Sequence, residues 1–217
     1  DTYHGRAVPD PYRWLEDPNS AETQVWIEQQ NQVTFSYLKE LPRVGPLRQR
    51  LRELWNYERY SVPFRRGGRY FFYKNDGLQN QAVLYTQPTL EAEARELLNH
   101  NTFSADGTVA LGSIAVSEDG RLLANSLSSS GSDWLEWRVR NIASGQDLDD
   151  HLRWSKFSGA AWTHDGQGFF YSRYDEPAAA SQFEDVNYYQ KLYYHRLGTD
   201  QSKDVLVYER PDQKEWG

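Results

Sequence analysis

Two hydrophobic periodicities divide the chain. Up to about residue 55, apolar positions return every three or four residues, and Val25, Trp26, Val33, Tyr37 and Leu38 keep helical spacing. Ahead of them, Asp17-Pro18-Asn19-Ser20 supplies N-cap residues, with Glu22 in the first turn; Leu41-Pro42 ends the helix. A second helix is predicted from Pro46, a residue suited to a first turn, with Leu47, Leu51, Leu54 and Trp55 along one face. Two such helices joined by a short connection cannot bury both faces on each other. They require a further surface.

From about Tyr57 the period shortens to that of strands. Arg69 to Tyr73, Ala82 to Thr86, Arg121 to Leu127, Trp134 to Ile142, Gly168 to Tyr174 and Lys191 to Leu197 are β-branched or aromatic runs. Gly, Asp, Asn or Pro bounds each of them. The runs also repeat. Ala115 to Ala124 (AVSEDGRLLA) matches Ala161 to Phe170 (AWTHDGQGFF), which sets the two Asp-Gly turns 46 residues apart. A weaker echo, RRGGRYFF, places Gly68 another 52 residues before Gly120.

A period of about 40–50 residues with four strands per unit is the signature of β-propeller blades. The other architecture compatible with the runs is a β-sandwich, in which the turn matches would be coincidental. The fold class read here is therefore mainly β: a partial β-propeller of about three four-stranded blades, preceded by an N-terminal α-helical extension. Residues 1–56 form the helical segment and residues 57–217 form blades one to three. Propellers close with about 4–8 blades, so the three units are expected to be part of a longer array.

Composition sharpens this in a few places. The 8 Trp, 15 Tyr and 9 Phe suit half-buried pleated surfaces. A net charge of −7 argues against a nucleic-acid partner, which needs a basic stripe to displace counterions. No apolar run approaches the ~18 residues of a membrane span, and the first residues do not read as a signal peptide. The absence of cysteine excludes a disulfide scaffold, a thiolate zinc site and a Cys nucleophile. It fits a cytoplasmic setting. With no Met at position 1 and no tail-like ending after Lys214, the chain is expected to be a fragment of a longer protein.

Catalytic motifs are missing. There is no Gly-x-Ser-x-Gly elbow, zinc helix, phosphate loop or dinucleotide fingerprint, so no catalytic residue, metal or cofactor is assigned. His4, His100, His151, His164 and His195 are scattered. His164 reads as a surface turn residue. Asp147, Asp149 and Asp150 beside His151 lack the spacing and glycine of a calcium loop and read as a solvated loop. Ser128 to Ser132 reads as a connection between strands, with no base beside it. The Tyr188-Tyr189 and Tyr193-Tyr194 pairs read as inter-blade packing.

Longer motifs carry a family resemblance. Tyr3 to Asp17 (YHGRAVPDPYRWLED), Asn75 to Tyr85, Asp106 to Gly120, Ser128 to Trp137, Ala161 to Tyr171 and Gln190 to Asp204 follow one another as in the prolyl oligopeptidase family. The resemblance covers nearly the whole chain. It implies a serine peptidase that cleaves after proline in short peptides. In that family an α/β-hydrolase domain holds a Ser-Asp-His triad, and a seven-bladed propeller admits only small substrates.

The partners implied are short proline-containing peptides and a C-terminal α/β-hydrolase domain of the same parent chain, on which the helices would pack. Phe157 matches a propeller phenylalanine that lines an apolar substrate subsite. Asp133 matches an aspartate that faces the hydrolase domain and pairs with an arginine there. Ordinary inter-blade core and a turn aspartate capping nearby N–H groups are the plainer readings of these two. Glu176 to Gln190 departs from relatives whose loop is rich in Gly, Ser and Thr. Two other functions remain open: a stand-alone β-rich binding module, and a relative that cleaves after basic residues.

Overall fold

A computed structural model of the chain describes residues 1–129, 131–177 and 187–216. Most of the loop from Glu176 to Gln190 therefore lies outside the described residues. Two compact units are present, Asp1–Trp55 and Asn56–Gly217.

The first unit opens with a short hairpin, β1 (Thr2–Tyr3) and β2 (Arg6–Ala7), and a 3-10 turn over Arg13–Glu16. Helix α1 spans Ala21–Glu40 and α2 spans Val44–Trp55. Ser20 caps α1, its Oγ accepting the Thr23 N–H at 3.2 Å, a contact worth about 1 kcal/mol. The start of α2 falls two residues before Pro46, which occupies the first turn. Within the unit the apolar faces stay open: Val33, Tyr37, Leu47, Leu51, Leu54 and Trp55 are all exposed. Trp14 and Trp26 meet edge to face with centroids 6.3 Å apart.

The second unit is three antiparallel sheets stacked face to face. Sheet 1 holds β3 (Arg59–Tyr60), β4 (Phe64–Arg66), β5 (Arg69–Asn75), β6 (Val83–Gln87) and β7 (Arg95–Leu98). Both β3 and β4 pair with β5, so this sheet has five strands. Sheet 2 is a meander of β8 (Val109–Val116), β9 (Leu122–Ser129), β10 (Leu135–Asn141) and β11 (Asp147–Ser155). Sheet 3 repeats it with β12 (Ala160–Trp162), β13 (Gly168–Arg173), β14 (Lys191–Arg196) and β15 (Val205–Tyr208). The expected blade pattern is present.

Alternation along β9 shows why sheet 2 is apolar on both faces. Leu123 points into a core with Phe71, Leu84, Leu97, Leu98 and Ile142, between sheets 1 and 2. Ala124, its neighbour, joins Trp137, Val139, Leu152, Phe169, Tyr171 and Tyr193, between sheets 2 and 3. Successive residues of a strand face opposite ways, so a sheet covered on both sides carries a continuous apolar run. Tyr193 thus packs between sheets as expected. Tyr194 instead stacks on Phe170 across its own sheet, centroids 5.3 Å apart.

The repeated Ser/Thr-x-Asp-Gly sequence builds the first turn of sheets 2 and 3 by one device. Ser117 Oγ donates to Asp119 Oδ1 at 2.7 Å, and Thr163 Oγ1 to Asp165 Oδ1 at 2.6 Å. Those carboxylates also accept the N–H of Arg121 and Gln167, each at 3.0 Å. Gly120 and Gly166 follow at φ 70° and 66°, where a Cβ would be strained.

The acidic run needs a correction. Asp147, Asp149, Asp150 and His151 do not form a solvated loop; they begin strand β11. The run is polar, but alternation sends Asp150 and Leu152 inward toward sheet 3, where a histidine compensates the buried charge. His151 turns the other way and meets Glu136 of β10 at 2.6 Å.

Candidate functional site

Antiparallel order sorts the connections onto two ends. The Asp-Gly turns and the β10–β11 and β14–β15 turns lie at one end of the strands. The start of β10, the segment after β11 and the described residues that follow β13 and precede β14 lie at the other. This second end gathers aromatic side chains from sheets 2 and 3 into a rim.

Trp134, following the β9–β10 turn, is the centre of the rim. It meets Trp154 edge to face at 5.6 Å and Tyr174 at 6.2 Å. The Lys156 ammonium sits 3.9 Å above the Trp134 ring and donates to Asn187 Oδ1 at 2.9 Å. Lys156 is only 7% exposed, so its charge is held against the indole in a largely dry setting, where cation–π attraction is strongest. Gln190 Nε2 donates to the Lys156 carbonyl at 2.9 Å, and the Tyr174 N–H to the Trp154 carbonyl at 2.9 Å. Burial pushes the Tyr174 hydroxyl pKa up from its ordinary value.

Backbone strain is concentrated here. Trp154, Phe157 and Tyr189 have φ of 64°, 52° and 59°, a region that bulky side chains rarely enter. Such conformations cost about 1–3 kcal/mol each and persist where surroundings over-determine them. Phe157 is 69% exposed and Tyr189 46% exposed. Phe157 thus lies between β11 and β12 at positive φ with its ring largely in solvent. The plainer expectation for it, inter-blade core, does not describe this ring.

Asp133 precedes Trp134 on the same rim and is exposed. Asp133, between β9 and β10, and Phe157, just after β11, therefore lie at the same end of sheet 2. Trp134, Trp154, Lys156 and Tyr174 were not singled out in the sequence. Their signal was weak: each lies at or next to a strand end, where the three aromatic residues read as edge packing and the lysine as a solvated charge. Ser128 and Ser129 belong to β9, and Ser128 Oγ donates to the Ser132 carbonyl at 2.5 Å, a structural role.

A second concavity lies toward the opposite end. Inner strands β4, β8 and β12 line a cavity of about 430 Å³ that includes Phe64, Arg66, Val116, Glu118 and Trp162. Trp162 Nε1 donates to the Ala115 carbonyl at 2.9 Å across it. His164, expected as a surface turn residue, is exposed on this side and pairs with Glu118 at 2.9 Å, which raises its pKa.

Comparison with known proteins places these features in a family. Residues 1–217 match the model for the prolyl oligopeptidase N-terminal β-propeller domain. A prolyl endopeptidase of Elizabethkingia miricola is 41% identical over 207 residues, which is 95% of this chain and 29% of that enzyme. Among solved structures, one from a study of two prolyl endopeptidases superposes with a TM-score of 0.85 at 35% identity, covering 97% of this chain and 31% of its own. Prolyl oligopeptidase B from Galerina marginata, bound to a 35mer hydrolysis and macrocyclization substrate, gives 0.79 at 30% identity, over 96% of this chain and 31% of its own. This chain spans about a third of the length of these relatives.

Proposed function

The chain belongs to the prolyl oligopeptidase family, and from that premise we propose that it is the N-terminal portion of a cytoplasmic serine peptidase that cleaves after proline in short peptides. The observation that carries this reading is the strained aromatic rim, in a chain 41% identical to a prolyl endopeptidase over 95% of its length. The triad would be supplied by a C-terminal α/β-hydrolase domain of the same parent chain. None of the present residues acts as nucleophile, acid or base. The blades limit substrate size, and the exposed apolar faces of α1 and α2 are the surface offered to the hydrolase domain.

Within this reading Phe157 lines an apolar subsite for the substrate. Its exposure and its positive φ support that role, since a ring held open to solvent is available to a ligand. Asp133 faces the hydrolase domain and pairs with an arginine there. Exchanging Asp133 for Asn is expected to flatten the salt dependence of kcat/KM in the two-domain enzyme. An unchanged dependence removes that role.

The deciding experiment compares residues 1–217 with the same sequence continued through a hydrolase domain, on a chromogenic peptide with proline before the leaving group. Turnover by the longer protein alone supports the proposal. Turnover by the short chain, blocked by a serine-directed inhibitor, overturns the assignment of catalysis to the missing domain.

A further inference from the structure

Sheets 2 and 3 are joined by a line of buried polar groups that the peptidase reading does not use. At its centre is His195 on β14. Its Nδ1 lies 2.6 Å from Asp204 Oδ1 and its Nε2 lies 2.9 Å from Asp150 Oδ1 on β11. All three side chains are at most 1% exposed. Ionised carboxylates only accept, so both ring nitrogens must donate, and only the imidazolium carries N–H on each. The first sheet-2 carboxylate also accepts the Gly198 N–H at 2.7 Å.

The line continues to the rim. Asp204 Oδ2 accepts the Tyr171 hydroxyl at 2.6 Å, and that hydroxyl oxygen accepts from Gln201 Nε2 at 3.0 Å. The Gln201 carboxamide grips the Arg153 residue at both backbone groups. The Arg153 N–H donates to Oε1 and Nε2 donates to the Arg153 carbonyl, each at 3.0 Å. Trp154, the next residue, is the first of the strained positions.

We propose that Asp150, His195 and Asp204 form a latch between sheets 2 and 3 that holds while the imidazole is doubly protonated, and that loss of one proton loosens the strained segment from Arg153 to Phe157. The latch is a property of the sheet stack and stands whether or not the rim meets a peptide.

The electrostatics support the geometry. Burial by itself would lower the His195 pKa, but the hydrogen bonds to Asp150 and Asp204, with their charges, outweigh it and carry it to about 9. Burial likewise opposes the charged form of Asp150, yet the His195 and Gly198 donors hold its pKa below the ordinary value. Asp150 on β11, Asp204 ahead of β15 and Tyr171 on β13 are the titratable groups facing the ring among the described residues. Phe169 on β13 covers it at 5.6 Å. Deprotonation leaves two carboxylates competing for one donor in a dry site, which favours opening.

The sign follows from linkage. The folded pKa of about 9 stands above the ordinary 6.5, so the latch is at full strength below 6.5 and weakens as pH rises toward 9. Hydrogen exchange of the full chain from about pH 6 to about pH 10, corrected for base catalysis, reads this directly. In residues 150–157 and 191–204 the opening constant is expected to rise about tenfold per pH unit from 6.5 to about 9 and then level off. Residues 69–75 of sheet 1 are expected to show no such rise. A flat profile in sheets 2 and 3, or an equal rise in sheet 1, overturns the latch.

Asp204→Asn is expected to move the rise to lower pH; a profile identical to the unsubstituted chain overturns the proposal. Where that variant does not fold, nitrogen NMR of the unsubstituted chain with labelled histidine decides. Protons on both His195 nitrogens near pH 7.5 support the latch, and a neutral ring there removes it.

Discussion

Gly67 of sheet 1 lies with its Cα against the Asp119–Gly120 peptide of sheet 2, so that a Cβ on Gly67 would overlap the Asp119 carbonyl and the Gly120 nitrogen. Its φ of 52° adds a second demand for glycine. The first turns of the two sheets therefore touch backbone to backbone, and the atoms in the way belong to a tight turn that cannot yield. Gly67→Ala is expected to destabilise the chain by about 2–3 kcal/mol, through strain and displacement of sheet 1. Urea unfolding checks it, and a change below about 0.5 kcal/mol would show that the sheets separate there without cost.

Leu123 is fully buried between sheets 1 and 2 and touches side chains from both. Truncation to Ala removes apolar burial from the face of β9 that packs on sheet 1. The expected loss is about 3 kcal/mol, in the range for leucine cavities that collapse incompletely. A midpoint shift without a change of slope in urea would mark it as a stability effect alone.

Much of this architecture was readable because its causes are local. The Asp-Gly turns were visible since Ser117 and Asp119, or Thr163 and Asp165, bond within a few residues of each other. The central strands were visible because β9 is covered on both faces and β13 carries large aromatic residues on both of its own. Inner strands β4 and β12 were not, since three residues carry no period. Strand β11 was misread for a different reason. Asp150 looks like a solvated residue until His195, 45 positions away, is brought to its side. The rim was half legible: Phe157 and Asp133 came from the family pattern, whereas Trp134 and Lys156 meet only through the fold.

Phe157 offers a test that separates binding from stability. Its ring is 69% exposed, so removing it leaves the sheet stack intact. In the enzyme that includes the hydrolase domain, Phe157→Ala is expected to raise KM by about tenfold, the equivalent of losing one apolar side chain's burial against substrate. The unfolding midpoint should stay where it is. A stability loss with no kinetic change would return Phe157 to a structural role.

His100 sets the opposite pH limit to His195. It is 1% exposed, lies edge to face with Phe103 at 5.4 Å, and neither ring nitrogen has a hydrogen-bond partner among the described residues. Burial first, and the nearby Arg140 charge second, push its pKa down to about 4 from the ordinary 6.5. Between those values the unfolded chain takes up a proton that the folded chain refuses. Stability is therefore full above 6.5 and falls as pH drops toward 4, by about 3 kcal/mol for this residue. Carboxylates such as Asp150 and Asp119, whose pKa values are lowered, lose their contribution only at more acid pH. Replacing His100 with Leu removes a group that titrates without replacing it with one that does. Urea unfolding at several pH values is expected to show a flatter acid limb for this variant, with the alkaline limb from His195 unchanged. An acid limb as steep as before would mean that His100 is protonated in the folded chain and bonded to a group that compensates it.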